Sequence, residues 1–475
     1  MNNIKSIYSV IIIGLLLASC HIGKEYSRPP LETSASYRSS NNDVPQADTN
    51  SMATVRWKDF FTDIALQEII DSVLHRNYDM ATALNNIRLN DEYLKQAKVS
   101  WLPSVSANVS ASSDRFSDNS LDGKYGISLD NSANHLDDYS ASLGVSWEID
   151  IWGKIKDKKE AALATWLQSK EATKALQTKL IASTASAYYN LLMLHEQLKI
   201  AKKNLVLTDS TVQIIRVQME NGEATTLAVQ QAEVQQKNIA SLIPTLEQAL
   251  GIQENALSIL MSRQPSALII TQDLFSFIVP DNFKTGIPAN LLSQRPDVKE
   301  SEAALRAVNA RIGVAQANMY PSLSINAAGG LNSFQSSKWL VLPTSLFGNV
   351  AGNLLQPIFN KRQLKTQLNI TKIEYEQAAN NFKSKLLNAA AEVSDALMQS
   401  EKLKEKIEIA HSQNLILQKA LPNAQLLFTN GMANYLEIIT AQQSLLQNEL
   451  GFADLKRQQI TAYIQLYRSL GGGTR

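Results

Sequence analysis

Two long stretches of the chain lack the residues that most often interrupt helices. Residues 154–221 and 358–421 contain neither proline nor glycine and are rich in Ala, Leu, Lys, Gln and Glu, which favour helices. A helix of roughly 65 residues is about 100 Å long at a rise of ~1.5 Å per residue. The pattern therefore predicts two very long helices, over residues 154–221 and 358–428, as the frame of the protein.

Four shorter segments carry the alternation of apolar and polar residues that is typical of strands. Val105, Ala107 and Val109 alternate with serine and asparagine. Segments of about ten residues match the ~9–11 that a tilted strand needs to cross a bilayer, although a soluble hairpin packed on a helix gives a similar pattern. We favour membrane strands, predicted near residues 102–112, 139–152, 320–329 and 347–359.

The chain repeats itself. Leu102-Pro103-Ser104 recurs as Tyr320-Pro321-Ser322, and the fourth strand, blurred by glycines and a proline, is predicted mainly from this repeat. The order in each copy is helix, strand, loop, strand, long helix, turn, helix. The predicted organisation is a signal peptide at 1–19, a polar tether at 20–56, a first repeat at 57–262, a linker at 263–294, a second repeat at 295–470 and a tail at 471–475.

The N-terminus indicates export and lipidation. Lys5 precedes an apolar run at residues 10–18, and Leu17-Ala18-Ser19-Cys20 resembles a bacterial lipobox. Cys20 is the only cysteine, which excludes internal disulfides. We expect Cys20 to become the lipidated N-terminus and to anchor the chain in a membrane.

Composition excludes several other classes of protein. The net charge of +1 does not suggest a nucleic-acid surface. The sequence has no glycine-rich phosphate loop and no nucleophile elbow. No two histidines have the spacing of metal ligands. We therefore expect no enzymatic activity, no metal site and no cofactor besides the lipid; the histidines are His21, His75, His135, His195 and His411.

Four strands are too few to close a membrane barrel, which needs about eight. Strand edges are not tolerated in lipid, so copies of the chain must pool their strands, and three copies would supply about twelve. Aromatic residues, which prefer the membrane interface, flank the predicted strands where they meet the helices. These interface residues are Trp101, Trp152, Tyr320 and Phe359.

Several features in this order resemble the TolC-like outer-membrane efflux proteins, and in particular their lipoprotein, NodT-type branch. They are the lipobox, the duplicated plan, Arg295-Pro296-Asp297, and Asn430-Gly431 followed by Tyr435-Leu436-Glu437. The resemblance implies a homotrimer in the bacterial outer membrane, with a twelve-stranded barrel and a long α-helical tunnel in the periplasm. It also implies a periplasmic adaptor and an inner-membrane RND-type transporter that supplies the energy for exporting drugs or metal ions.

The resemblance further implies where the tunnel closes. The periplasmic tip is expected at two turns, Asn221-Gly222 and Asn430-Gly431. Gate candidates follow the second turn, and two of them depart from the family pattern, because members often carry Asp at the position of Thr440 and some carry Arg at the position of Gln443. The gate candidates are Leu436, Glu437, Thr440 and Gln443.

Two alternatives stay open at this level. One is a duct for type I protein secretion, and the other is a lipid-anchored coiled-coil scaffold without a pore. The scaffold accounts for Cys20 and the long helices but leaves the alternating strands unexplained. The sequence does not identify the exported substrate.

Overall fold

The computed structural model describes residues 21–30, 55–117, 119–121, 135–269, 272–280 and 294–473. The chain divides into two compact units, and each unit draws segments from both sequence repeats. The sheet unit contains residues 1–29, 88–167 and 303–380, and the helical unit contains residues 30–87, 168–302 and 381–475. Cys20, the predicted lipidation site, lies outside the described residues.

The described elements follow the predicted order of helices and strands in both repeats. None of the described helices is both long and apolar enough to cross a membrane. The first half has α1 (Trp57–Phe60), α2 (Ile64–Arg76), α3 (Tyr78–Val99), β1 (Ser104–Arg115), β2 (His135–Ile149), α4 (Lys154–Glu220) and α5 (Thr226–Leu260). The second half has α6 (Pro296–Ala317), β3 (Ser322–Ser333), β4 (Leu346–Leu355), α7 (Gln363–Thr429) and α8 (Tyr435–Ser469), and short 3₁₀ turns occur at Leu274–Ser276 and Ser336–Lys338.

The two long helices α4 and α7 each contain 67 residues. The predicted start of the second at residue 358 is wrong by five residues. Lys361 and Arg362 adopt left-handed backbone conformations, with φ values of 41° and 65°, which delays the helix. In the first repeat a single left-handed residue, Gly153, is enough before Lys154. α7 then continues through Pro422 and ends at Thr429, one residue beyond its predicted end.

The strand ends differ from the predicted ones by one to four residues. β1 and β3 each begin two residues later, because Pro103 and Pro321 stand before the first pairing residue. β4 ends at Leu355, ahead of Pro357, since proline has no N–H to donate to a ladder. β2 begins at His135 and ends at Ile149, three residues before Trp152.

The four strands form one antiparallel sheet in the order β1-β2-β3-β4. Its register aligns the apolar positions of all strands on one face: Val105 is opposite Val145, which is opposite Ala327, which is opposite Val350. The other face carries mainly serine, asparagine and glycine. Alternation along each strand and register across the sheet therefore produce one apolar and one polar face.

The core of the helical unit joins the first helices of the described chain to the last one. Phe60 stacks on Tyr463 and Tyr467 with ring centroids 4.6 and 4.0 Å apart, and Phe61 is fully buried beside them. The hydroxyl of Tyr188 on α4 donates to Asp63, the N-cap of α2, over 2.7 Å. Aromatic burial of this extent fixes α1 and α2 against α4 and α8.

Candidate functional site

The apolar face of the sheet is exposed to the surroundings of the chain. The side chains of Val109, Leu143 and Val350 are 70%, 61% and 79% exposed. A soluble hairpin buries this face against a helix, and monomeric soluble proteins rarely expose apolar patches of this extent. The sheet therefore has the surface of a lipid-facing structure.

One edge of the sheet collects the predicted interface aromatics. β1 and β3 begin at this edge and β2 and β4 end at it, so Trp101, Trp152, Tyr320 and Phe359 all adjoin it. The Trp152 ring lies 5.0 Å from that of Tyr320, and its Nε1 donates to the carbonyl of Pro321 over 2.7 Å. We call this the aromatic edge. Its place at a membrane interface is consistent with these contacts and stays a prediction.

A short N-terminal segment packs at the aromatic edge. His21 Nε2 lies 2.8 Å from Asp157 Oδ1 in the first turn of α4. Asn309 on α6 donates to the carbonyl of Lys24 over 2.9 Å, and the Arg306 guanidinium lies over the Tyr26 ring. Burial raises the pKa of the Asp157 carboxyl, although His21 opposes that shift. The segment of residues 21–26 is therefore held against the start of α4 and against α6.

Glycines make room for this segment. Gly313 lies in the interior of α6, where glycine costs about 1 kcal/mol relative to alanine. A Cβ atom there would lie 2.7 Å from Cγ of Asp157 and 3.2 Å from Cα of Gly23. The glycine is therefore explained by the close approach of the N-terminal segment, an interaction that the sequence pattern did not indicate.

Replacing Gly313 with alanine is expected to displace the N-terminal segment while leaving α6 intact. Tryptic cleavage after Lys24 should become several-fold faster, because the added Cβ overlaps the Asp157 carboxylate. Gly251→Ala is the matched control, since Gly251 is also helical and a Cβ added there would have nothing within 4 Å. Equal cleavage rates in the two variants would contradict the contact.

The two predicted tip turns have the same geometry. Gly222 and Gly431 adopt φ values of 78° and 70°. The following N–H groups, of Glu223 and Met432, donate back over 2.8 Å to carbonyls five residues earlier. This is the Schellman ending of a helix, and it requires a left-handed residue that glycine adopts at no cost. Asn221 and Asn430 each precede that glycine, so both long helices end in equivalent turns.

The helices that follow the turns begin with side-chain caps. Thr225 accepts from the N–H of Ala228 at the start of α5, and Asn434 accepts from the N–H groups of Leu436 and Glu437 at the start of α8. The two hairpins then contact each other. Gln442 on α8 donates to the hydroxyl of Thr211 on α4 over 2.8 Å in a buried position.

The gate candidates share the exposed side of α8. Leu436, Thr440 and Gln443 are separated by four and three residues, which places them on one helical face, and Glu437 lies beside them. All four are exposed, and Leu436 is 52% exposed. The opposite face packs inward through Ile438, Gln442 and Leu445, and so these four side chains are free to line a passage.

A buried ion network ties α6 to the two helices that follow it. Arg295 immediately precedes α6 and is only 4% exposed. Its guanidinium contacts the carboxylates of Asp297 and Glu392 at 2.8 Å each and donates to the carbonyl of Ser469 over 2.9 Å. In the sequence, Arg295-Pro296-Asp297 is only one of the motifs that carry the family resemblance. In the structure, Arg295 and Asp297 belong to the ion network that holds α6 against α7 and α8.

One known family combines the membrane-type sheet, the duplicated plan and the paired long helices described above. The sequence model of the Outer membrane efflux protein family matches residues 69–262 and 287–472, most of the chain. The chain belongs to this family. The two matched segments overlap the two repeats and support the duplication.

Relatives of this efflux protein align over nearly its whole length. The cation efflux system protein CusC of Escherichia coli O6:H1 is 27% identical over 464 residues, which cover 97% of each chain. The antibiotic efflux pump outer membrane protein ArpC of Pseudomonas putida is 28% identical over 481 residues, covering 99% of this chain and 96% of its own. The probable outer membrane lipoprotein SilC of Salmonella typhimurium is 26% identical over 459 residues, covering 96% of each.

Solved structures of the family have the same fold. The crystal structure of CusC gives a TM-score of 0.81 at 26% identity and covers 95% of this chain and 100% of its own. The MtrE outer membrane channel of Neisseria gonorrhoeae, in its open state, gives a TM-score of 0.85 at 23% identity and covers 96% and 99%. Because the identity to MtrE is only 23%, that similarity shows the fold alone.

The expected fold, efflux function and outer-membrane location of this efflux protein are thereby confirmed. These relatives give no support to a protein-secretion duct or to a scaffold without a pore. The lipid on Cys20, the gate residues and the membrane level of the aromatics stay predictions.

Proposed function

We propose that three copies of this efflux protein form a passive duct whose twelve strands close one barrel. The observation that carries the proposal is the four-stranded sheet, which has an exposed apolar face and in which β1 and β4 each pair along only one edge within the described residues. Lipid offers no partner for backbone N–H and C=O groups. The free edge of β4 in one copy is satisfied by β1 of the next, and cyclic symmetry closes the ring.

The polar face of the same sheet lines the barrel lumen. Serines and asparagines at this face, such as Ser106, Asn326 and Asn349, suit a water-filled passage. On the helical side, Leu436, Glu437, Thr440 and Gln443 line the narrow end of the tunnel. Three copies of Leu436 restrict the passage, and three copies of Glu437 give it a negative potential.

The duct serves a tripartite pump. A periplasmic adaptor joins it to an inner-membrane RND-type transporter, which supplies the energy and selects the cargo, while the duct itself catalyses no reaction. The cargo is a class of small molecules or metal ions; the relatives above carry names for cation and antibiotic efflux. Cys20 carries the lipid that anchors the mature N-terminus in the outer membrane, and the segment of residues 21–26 holds that anchor at the aromatic edge.

The stoichiometry of the extracted protein tests this proposal. Native mass spectrometry of protein purified from membranes in mild detergent should give three chains. Cysteine pairs introduced along β1 and β4 should form intermolecular disulfides in one register, since the chain otherwise contains only Cys20. A monomer or dimer that retains its helical content, with no β1–β4 cross-link in any register, would overturn the proposal.

A further inference from the structure

A band of residues next to the aromatic edge carries an excess of positive charge. We define this edge layer as residues 97–104, 148–162, 312–322 and 355–366, all in the sheet unit. Its carboxylates are Glu148, Asp150, Asp157 and Glu160. Its cations are Lys98, Lys154, Lys156, Lys158, Lys159, Lys361, Arg362 and Lys365.

Every carboxylate of the edge layer has a partner within the chain. Glu148 pairs with Lys154 at 2.7 Å, and Glu160 pairs with Arg306 at 3.0 Å. Asp150 accepts the N–H groups of residues 155 and 156, and Asp157 contacts His21. Lys154 and Arg306 therefore balance the charges of Glu148 and Glu160, and only Asp150 and Asp157 are left to offset the remaining cations.

The remaining cations are exposed, and their charged groups form no ion pair with a described residue. They are Lys98, Lys156, Lys158, Lys159, Lys361, Arg362 and Lys365. Seven cations against the two carboxylates Asp150 and Asp157 leave an excess of five positive charges in the layer.

Several of these cations, although not Lys98 in the last turn of α3, lie where a helix disfavours positive charge. A helix N-terminus has a partial positive charge and favours acidic residues. Lysines nevertheless occur in the first turn of both long helices, and the first turn of α7 has no acidic residue. Lys361 and Arg362 also occupy left-handed conformations that glycine favours. A local cost that occurs in both repeats points to a function of the charges.

We propose that the edge layer binds the phosphate groups of anionic phospholipids in the periplasmic leaflet of the outer membrane. The proposal rests on the proposed function, because it requires the sheet to cross that membrane. The cations adjoin Trp152, Tyr320 and Phe359, residue types that lie at the headgroup level. Basic residues beside a membrane attract anionic lipid.

A second copy of the chain is a poor source of the missing negative charge. Cyclic symmetry places the same edge layer of each copy at the same height, so neighbours would add further cations. Assembly therefore increases the positive potential of the layer, and anionic headgroups between the copies relieve it.

Lipid-specific quenching of tryptophan fluorescence tests the proposal. The trimer is reconstituted into bilayers that contain brominated phosphatidylglycerol or, at the same fraction, brominated phosphatidylcholine. Quenching of the lipid-accessible tryptophans, which include Trp101, Trp147 and Trp152, should reach half its maximum at a several-fold lower fraction of phosphatidylglycerol. High salt should reduce this preference, whereas inorganic phosphate at constant ionic strength should not compete.

The variant K361Q/R362Q/K365Q should remove most of this several-fold preference, because each basic residue beside a membrane adds to its attraction for anionic lipid. A second variant, K156Q/K158Q/K159Q, should act in the same direction. The control K237Q/K406Q/K419Q removes three exposed lysines of the helical unit and should keep the full preference.

Three results would overturn the lipid site: equal quenching by the two lipids, an unchanged preference in both edge-layer variants, or equal loss in the control. Competition by inorganic phosphate would assign the layer to a soluble anion instead. Native mass spectrometry of the same samples separates this outcome from failure of the proposed function, because a wild-type protein that is not a trimer contradicts the barrel itself.

Discussion

Replacing Arg295 with alanine is expected to destabilise the helical unit by about 1.5–3 kcal/mol, the size of a hydrogen bond to a charged group. The substitution removes the guanidinium that Asp297 contacts and leaves Glu392, within the described part of the chain, paired only with Arg468, at 3.3 Å. It also leaves the carbonyl of Ser469, at the end of α8, without its side-chain donor. Thermal unfolding of the detergent-solubilised protein, followed by helical circular dichroism, measures the effect.

The matched control for this prediction is Arg306→Ala. Arg306 also pairs with a carboxylate, that of Glu160, but both side chains are substantially exposed. Exposed pairs contribute about 0–1 kcal/mol. If Arg295→Ala unfolds at the same temperature as Arg306→Ala, the buried network does not have the role assigned to it.

The pH dependence of the same network has a definite sign. Burial disfavours the charged form of Asp297, but its hydrogen bond and charge interaction with Arg295 prevail and lower the pKa of that carboxyl. The contribution of this pair is therefore complete above the unfolded pKa of about 3.9 and is lost as the pH falls through the lower folded value. Arg295→Ala should remove this part of the acid sensitivity.

Replacing Glu437 with glutamine is expected to reduce the cation preference of the reconstituted channel by about three- to tenfold. Each trimer loses three negative charges from a narrow passage, while Asn434 still caps α8 through the N–H of residue 437. Reversal potentials in a potassium chloride gradient across a planar bilayer measure the change.

Two further variants bound the prediction for Glu437. Glu437→Asp keeps the charge and should retain most of the cation preference. Glu408→Gln removes an exposed carboxylate from α7 and should leave the reversal potential unchanged. An unchanged reversal potential in Glu437→Gln would remove this side chain from the gate.

Local patterns made much of the fold predictable. The length of a helix can be predicted from an uninterrupted run of helix-forming residues. A strand can likewise be predicted from its own alternation of apolar and polar residues, as at Val105, Ala107 and Val109. The weak fourth strand was predictable only through the repeat, because Gly348 and Gly352 occupy positions of the apolar face. Its pairing with β3 confirms that inference.

The interactions that the sequence did not predict join residues far apart in the chain. Asp157 contacts His21 across 136 residues, and Arg295 contacts Glu392 across 97. Such partners leave no periodic signal. The one sequence signal for the contact between Asp157 and His21 was Gly313, because a glycine inside a helix is unfavourable unless another part of the chain approaches closely. The late start of α7 depends on Lys361 and Arg362, which adopt left-handed backbone conformations although they are not glycine. Because lysine and arginine rarely adopt that conformation, the sequence does not predict it.

Single-channel recording of the purified wild-type protein in a planar lipid bilayer tests the central claim most directly. A trimeric duct predicts discrete conductance steps that prefer cations, obtained from samples that contain three chains. Folded, trimeric protein that inserts into the bilayer and gives no conductance in any applied potential or salt gradient would contradict the account.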